Sequence, residues 1–347
     1  MAGVSSPGAG GEADPFTFSG GIVEPGETAN VRYTISETYL GEPVRVPVTI
    51  VNGAKPGPSV FLSAAAHGDE LNGIEVVREV AHEWDHDDLR GTLVCLPVLN
   101  VPAFIAQERY LPIYDRDLNR SFPGDPDSTS AKRMAHTLFR NFIEPCDVGL
   151  DFHTSTRGRT NMLHVRADMD DEAVARLARA FGSNVIIAGE GPSGSLRQEA
   201  SAVDTPTITV EMGEAHRFQR GLIDRALAGV ESVLAEYGLR PASVVSWPGW
   251  RTVIESGEKT WLRADAGGLV DMRYERGDLV EEGDVICRIT NPFKTSTERV
   301  RAPFTGLLVG VLENPVVYPG NPLCHVVELD AGTRRAYERN GKRSPER

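Results

Sequence analysis

The chain has 347 residues, 40% of them hydrophobic and 24% charged. That suits a soluble globular protein with one large domain or two unequal ones, and it excludes general disorder, collagen and coiled coil. Lys+Arg total 36 against 49 Asp+Glu, a formal charge of -13, and so acidic a surface repels phosphate backbones, so no nucleic-acid partner is expected. Only five of the 36 basic residues are lysines, a bias that with the excess acid suits a high-GC or a salt-adapted source alike. No apolar run approaches the ~20 residues that span a bilayer, so no membrane partner is expected either. Residues 1–14 are rich in Gly, Ala and Ser and lack a basic segment followed by an apolar one; they read as a flexible tail rather than a secretory signal. Cys95, Cys146, Cys287 and Cys324 are scattered without a CxxC pair, which fits a reducing cytoplasm.

From Val60 to about Tyr237, strand-like and helix-like runs alternate. Val60-Phe61-Leu62 and Leu93-Val94-Cys95-Leu96 are short apolar runs of the kind buried on both faces of a sheet. Between them Ile74, Val77, Val80, Ala81 and Trp84 recur at helical spacing. A long Pro- and Gly-punctuated loop follows, over residues 100–127. Ser128 or Ser130 then offers a cap to a helix carrying Met134, Leu138 and Phe142. Val148-Gly149-Leu150, Asn184-Val185-Ile186-Ile187 and Thr207-Ile208-Thr209-Val210 are further strand candidates, and a helix with Leu222, Ala226 and Val230 comes last. Such alternation predicts an α/β fold, a mixed central sheet with helices on both faces, over residues 15–245.

After about Ser246 the texture changes to short strands punctuated by Gly, Pro and Asp. The run from Gly268 through Gly277-Asp278-Leu279-Val280 is echoed from Gly306 through Val317-Tyr318-Pro319-Gly320, a weak repeat of about 38 residues. A smaller all-β, barrel-sandwich-like domain is therefore predicted over 246–330, with a polar tail over 331–347. Its hairpins are similar to biotinyl/lipoyl-type domains, with Lys294 near the carrier position. The flanking methionines are absent and the spacing is one residue longer, so a lid or wall over a cleft is the preferred reading.

Four motifs carry candidate chemistry. His67-Gly68-Asp69-Glu70 follows a strand, where an imidazole and a carboxylate can share a divalent ion. Asp151-Phe152-His153 ends another strand; if the two strands are parallel neighbours, His67, Glu70 and His153 make a His2Glu set that leaves a fourth position open. Thr209-Val210-Glu211-Met212-Gly213 puts Glu211 at the same sheet edge, as a carboxylate able to take and return a proton. In Asp117-Leu118-Asn119-Arg120, the guanidinium can grip a carboxylate, Asn119 can add a hydrogen bond, and Asp117 can fix the tautomer of a ligating histidine.

HGDE, DLNRSFPG, DFH and TVEMG, in this order, make the chain resemble the succinylglutamate desuccinylase/aspartoacylase family, a branch of the zinc carboxypeptidase-like hydrolases. The resemblance implies one zinc ion held by His67, Glu70 and His153, with Glu211 as general base and acid. Asn119 and Arg120 would then bind the substrate carboxylate, and Asp117 would partner His67. Arg109 resembles a further family arginine that holds substrate or polarises the scissile carbonyl, although an arginine stands in the aspartoacylase subgroup where this chain has Pro112. Arg197, before the Glu211 strand, is a lesser candidate for the acyl group or the amino-acid side chain.

The expected function is hydrolysis of the amide bond of a small N-acyl amino acid. N-acetyl-diaminobutyrate is one candidate, because related family members with this layout act on it and the lysine-poor composition suggests salt adaptation. Two other functions compete, a zinc carboxypeptidase acting on peptides and a metal-free binding protein on the same scaffold. A homo-oligomer is compatible with everything above.

Overall fold

The computed structural model describes residues 13–84, 87–112, 115–241, 252–254 and 259–340. In chain order the elements are β1 (Phe16–Phe18), β2 (Gly21–Val23), β3 (Glu27–Glu37), β4 (Pro43–Asn52), β5 (Lys55–Ala64), α1 (Asn72–His82), β6 (Arg90–Leu96), α2 (Val101–Ala106) and α3 (Ser130–Leu138). Then come β7 (Val148–Ser155), β8 (Arg159–Ala167), α4 (Glu172–Phe181), β9 (Val185–Ala188), α5 (Leu196–Ser201), β10 (Thr207–Glu214) and α6 (Arg220–Glu236). The C-terminal part holds β11 (Thr252–Ile254), β12 (Lys259–Arg263), β13 (Gly268–Met272), β14 (Leu279–Val280), β15 (Val285–Thr290), β16 (Thr297–Arg301), β17 (Gly306–Leu312), β18 (Val316–Val317), β19 (Pro322–Glu328) and α7 (Ala331–Asn340).

The centre is a 13-stranded mixed sheet. β6, β5, β7 and β10 are parallel neighbours, and β4 and β8 flank them antiparallel. All eight residues of β7 are buried, as the apolar run Val148 to Leu150 predicts. Leu62, Leu150, Val210 and Leu163 face α1, α4 and α6, while Phe61, Val94 and Leu96 face α3, α5 and the loops. Helices therefore cover both faces, as expected for buried parallel strands.

Several boundaries differ from the sequence reading. α1 stops at His82, two residues before Trp84. The cap of α3 is Thr129, not Ser128 or Ser130, and it makes no side-chain hydrogen bond. The strands β1 to β4 and β8 add to the predicted set. Expected only as a polar tail, residues 331–340 form α7, because the Asp330 carboxylate accepts the Gly332 and Thr333 amides at 2.7 and 3.0 Å. Of the expected tail over 1–14, residues 1–12 lie outside the described residues, while the Asp14 carbonyl accepts from Asn52 Nδ2 at 3.0 Å; the boundary at 246 and residues 341–347 also lie outside the described residues.

The repeat is visible as reciprocal pairing. β13 pairs with β15 and β18, while its echo β17 pairs with β19 and β14. The main sheet continues into this region, since β17 pairs with the start of β8 at Asn161 and β9 with its end at Ala167. No described helix is long and apolar enough to cross a membrane.

Candidate active site

β5 ends at Ala64, and Ala65 takes a left-handed conformation (φ 50°) that turns the chain into His67-Gly68-Asp69-Glu70. Gly68 lies so close to α2 that a Cβ there would stand 2.0 Å from the Ala103 carbonyl carbon, so only glycine fits. β5 and β7 are parallel neighbours with Ser63 opposite Asp151, the condition the sequence left open. His67, Glu70 and His153 consequently converge, their ligand atoms within 4.8 Å of one another and all three side chains buried.

The imidazole tautomers follow from their partners. His153 Nε2 lies 2.7 Å from Asp151 Oδ2 and His67 Nε2 lies 3.2 Å from Asp117 Oδ1; a carboxylate only accepts, so each Nε2 carries the proton. Both Nδ1 atoms then face Glu70, at 2.9 Å from Oε1 for His67 and 2.9 Å from Oε2 for His153. His67 Nδ1 is out of line for a hydrogen bond to Glu70 and is a buried nitrogen without a hydrogen-bond partner. Burial opposes charge on Glu70, yet His67, His153 and Arg109 hold its carboxyl well below the usual range. Burial likewise opposes protonation of His153, and Asp151 and Glu70 outweigh it, holding the imidazolium well above the ordinary value. His67 shifts the same way through Glu70 and Asp117. The Nδ1 atoms of the two imidazoles thus converge on Glu70, a donor set of the kind a zinc ion takes once those nitrogens are deprotonated, with Asp151 and Asp117 behind the histidines.

Glu211 pairs directly with His153 across the parallel β7–β10 ladder and so emerges beside it. Asn161 Nδ2 donates to its Oε2 (3.1 Å) and Arg166 Nε to its Oε1 (3.2 Å). Both come from β8, and neither was foreseen, because their link to Glu211 depends on an antiparallel register seen only in the folded sheet. Asp151, at the head of the DFH motif, backs His153 through a carboxylate whose burial between strands no sequence pattern signals.

The remaining predicted residues gather around this centre. Arg109 donates to Glu70 Oε1 at 2.5 Å. Asn119 Oδ1 accepts the Leu196 amide (2.8 Å), and its Nδ2 lies 3.3 Å from His153 Nε2. Arg120 is exposed and donates to the Asn119 carbonyl. Arg197 is buried and donates to the Gly189 carbonyl (2.8 Å), with no carboxylate within 4.0 Å among the described residues. Burial, helped by the nearby Arg166 charge, pushes its pKa down to about 10. A stack links β8 to the C-terminal strands: Arg159 lies 5.1 Å over the Trp261 ring, which lies flat on His325 at 4.9 Å.

The family model of the succinylglutamate desuccinylase/aspartoacylase catalytic domain matches residues 56–237. The chain belongs to this family. Over 304 residues, 82% of this chain and 86% of the relative, it is 26% identical to the N-alpha-acetyl-L-2,4-diaminobutyric acid deacetylase of Halomonas elongata. Over 121 residues, 35% of this chain and 34% of the relative, it is 34% identical to a succinylglutamate desuccinylase of Burkholderia orbicola. Among solved structures, a product-bound ectoine utilization protein of Ruegeria pomeroyi superposes with a TM-score of 0.75 at 22% identity, covering 87% of this chain and 95% of that one. A succinylglutamate desuccinylase/aspartoacylase of Rhodobacter sphaeroides gives 0.77 at 22%, with the same coverage. These likenesses establish the deacylase fold, and the named relatives in the family are deacylating hydrolases.

Proposed function

We propose that the chain is a zinc-dependent amidohydrolase that cleaves the amide bond of a small N-acyl amino acid. One observation carries this reading, the buried convergence of His67, Glu70 and His153 beside Glu211. His67 and His153 would hold the ion through Nδ1 and Glu70 through its carboxylate. When bound, zinc supplies Lewis-acid chemistry, polarising an amide carbonyl and making water nucleophilic at neutral pH. Glu211 is the proton carrier: it accepts a proton from the attacking water and returns it to the departing nitrogen, which leaves as a free amine. Asp151 and Asp117 keep both imidazoles in the Nε2–H tautomer.

Asn119 and Arg120 are assigned to the substrate carboxylate, Arg109 to the acyl carbonyl and Arg197 to the acyl or side-chain end. The unneutralised burial of Arg197 supports the last, since a buried guanidinium gains most from an anionic or strongly polar ligand. The C-terminal strands form a smaller β domain that narrows the cleft, and the Arg159–Trp261–His325 stack supports a wall on that side. A narrow cleft favours small acyl amino acids over peptides. The substrate we place first is N-acetyl-L-2,4-diaminobutyrate, for which the Halomonas elongata relative is named. Four free, buried cysteines support a cytoplasmic location.

The test is a panel of N-acetyl and N-succinyl amino acids with zinc-loaded protein, scored by release of free amine. Faster release from C-terminal peptides would favour the carboxypeptidase, and absence of zinc by elemental analysis would favour a binding protein.

A further inference from the structure

Glu211 is held by two donors from the neighbouring strand, one per oxygen. Asn161 is flanked by glycine on both sides of β8, with Gly213 opposite it on β10 and Gly310 opposite it on β17. The two glycines serve different needs. Gly213 has φ 74°, a conformation that favours glycine whatever the space. Gly310 lies outside the left-handed region, so its backbone would accept alanine; the obstacle is that a Cβ there would stand 2.4 Å from Asn161 Oδ1. Its next neighbours, Thr160 O and Asn161 Cγ, lie at ordinary contact distances of 3.5 and 3.6 Å. The Asn161 amide therefore occupies the volume that a side chain at 310 would fill.

We propose that Asn161 and Arg166 are positioning residues for Glu211, and that the bare backbone of Gly310 is the cradle that keeps the Asn161 amide turned toward that carboxylate. The C-terminal strands then do more than wall the cleft, because one of them sets the aim of the proton carrier. With only Arg166 left, Glu211 is tied through a single oxygen and its carboxylate can turn about its last torsion. Misplacing a reacting group by about 1 Å costs up to roughly 100-fold in rate. This inference rests on Glu211 being the general base.

The experiment is a double-mutant cycle on Gly310→Ala and Asn161→Ala, using zinc-loaded protein and the acyl amino acid turned over fastest in the panel. Each single variant is expected to lower kcat about 10- to 100-fold with KM within about twofold. In the Asn161→Ala background, Gly310→Ala is expected to change kcat less than about twofold, because the amide it would strike is gone. A crystal structure of Gly310→Ala should show the Asn161 amide turned away from Glu211. If Gly310→Ala fails to fold alone yet folds when Asn161 is Ala, the clash with the amide stands; failure in both backgrounds overturns the cradle. Equal losses in both backgrounds, or Asn161→Ala with unchanged kcat, would also overturn it. Glu211→Gln separates the two readings: an active Gln variant removes the general base itself, whereas an inactive one beside a fully active Asn161→Ala removes only the positioning.

Discussion

Asp151→Asn isolates the contribution of one buried charge to the proposed metal binding. Asp151 is fully buried and shares its oxygens between Ser63 Oγ (2.8 Å) and His153 Nε2 (2.7 Å). Asparagine keeps the shape: its oxygen can still accept from Nε2, and its amide can turn to the Ser63 hydroxyl, which also accepts. What disappears is the negative charge behind the ligand. That charge favours a proton on His153 as well as a metal, but a dication gains about twice what a proton gains from the same charge, so the loss to the metal dominates. Removing such a partner behind a ligating histidine weakens metal affinity by about 10- to 100-fold, or ~1.4–2.7 kcal/mol. Asp117→Asn should lose less, because its contact to His67 is longer at 3.2 Å and Asp117 is less buried. Competition against a chromophoric chelator at pH 8 measures both. Zinc affinity unchanged in Asp151→Asn, or a larger loss in Asp117→Asn, would refute the assignment of His153 and His67 as ligands backed by these carboxylates.

Glu211→Gln should retain one zinc per chain while turnover falls about 10²- to 10⁴-fold; atomic absorption and the amine-release assay check the two halves. His325 is buried, and desolvation with the nearby Arg166 and Lys259 charges pushes its pKa down to about 3 from 6.5. The unfolded chain takes up that proton first as pH falls, so the stability is complete above about pH 6.5, is lost toward pH 3, and amounts to about 2 kcal/mol less at pH 5. Urea titrations at pH 7 and pH 5 should show this loss shrinking in His325→Phe, which keeps a ring on Trp261 but cannot titrate. Gly68→Ala should cost about 3 kcal/mol or more, because the Cβ meets rigid backbone at 2.0 Å. Gly221→Ala, in open space on α6, should instead raise the urea midpoint slightly.

The convergence of His67, Glu70 and His153 was legible because their signals are local. His67 and His153 each stand just past an apolar run, and a strand end next to a polar motif needs only parallel pairing to bring the two together. The two helical faces were legible in the spacing of Ile74, Val77 and Val80, and of Leu222, Ala226 and Val230. Asn161 and Arg166 were not, because no local pattern ties a residue to Glu211 across 45 or 50 positions; antiparallel register does that. The β3–β4 hairpin was missed although Ala29, Val31, Tyr33 and Ile35 alternate with polar residues, since β3 is a largely exposed edge strand without a continuous apolar run and Arg45 and Pro47 interrupt the start of β4. The pairing of β17 with β8 was invisible for a further reason. The composition shift near Ser246 marks a change in texture, whereas backbone hydrogen bonding carries the sheet onward into the C-terminal strands.

The central claim is tested most directly by the release of free amine from N-acetyl-L-2,4-diaminobutyrate and the rest of the acyl amino-acid panel, measured on chelator-stripped protein before and after one equivalent of zinc. Release should be absent from the stripped protein and restored by zinc for at least one member of the panel. Equal release with and without zinc, or none from any member in protein shown to hold the metal, would contradict it.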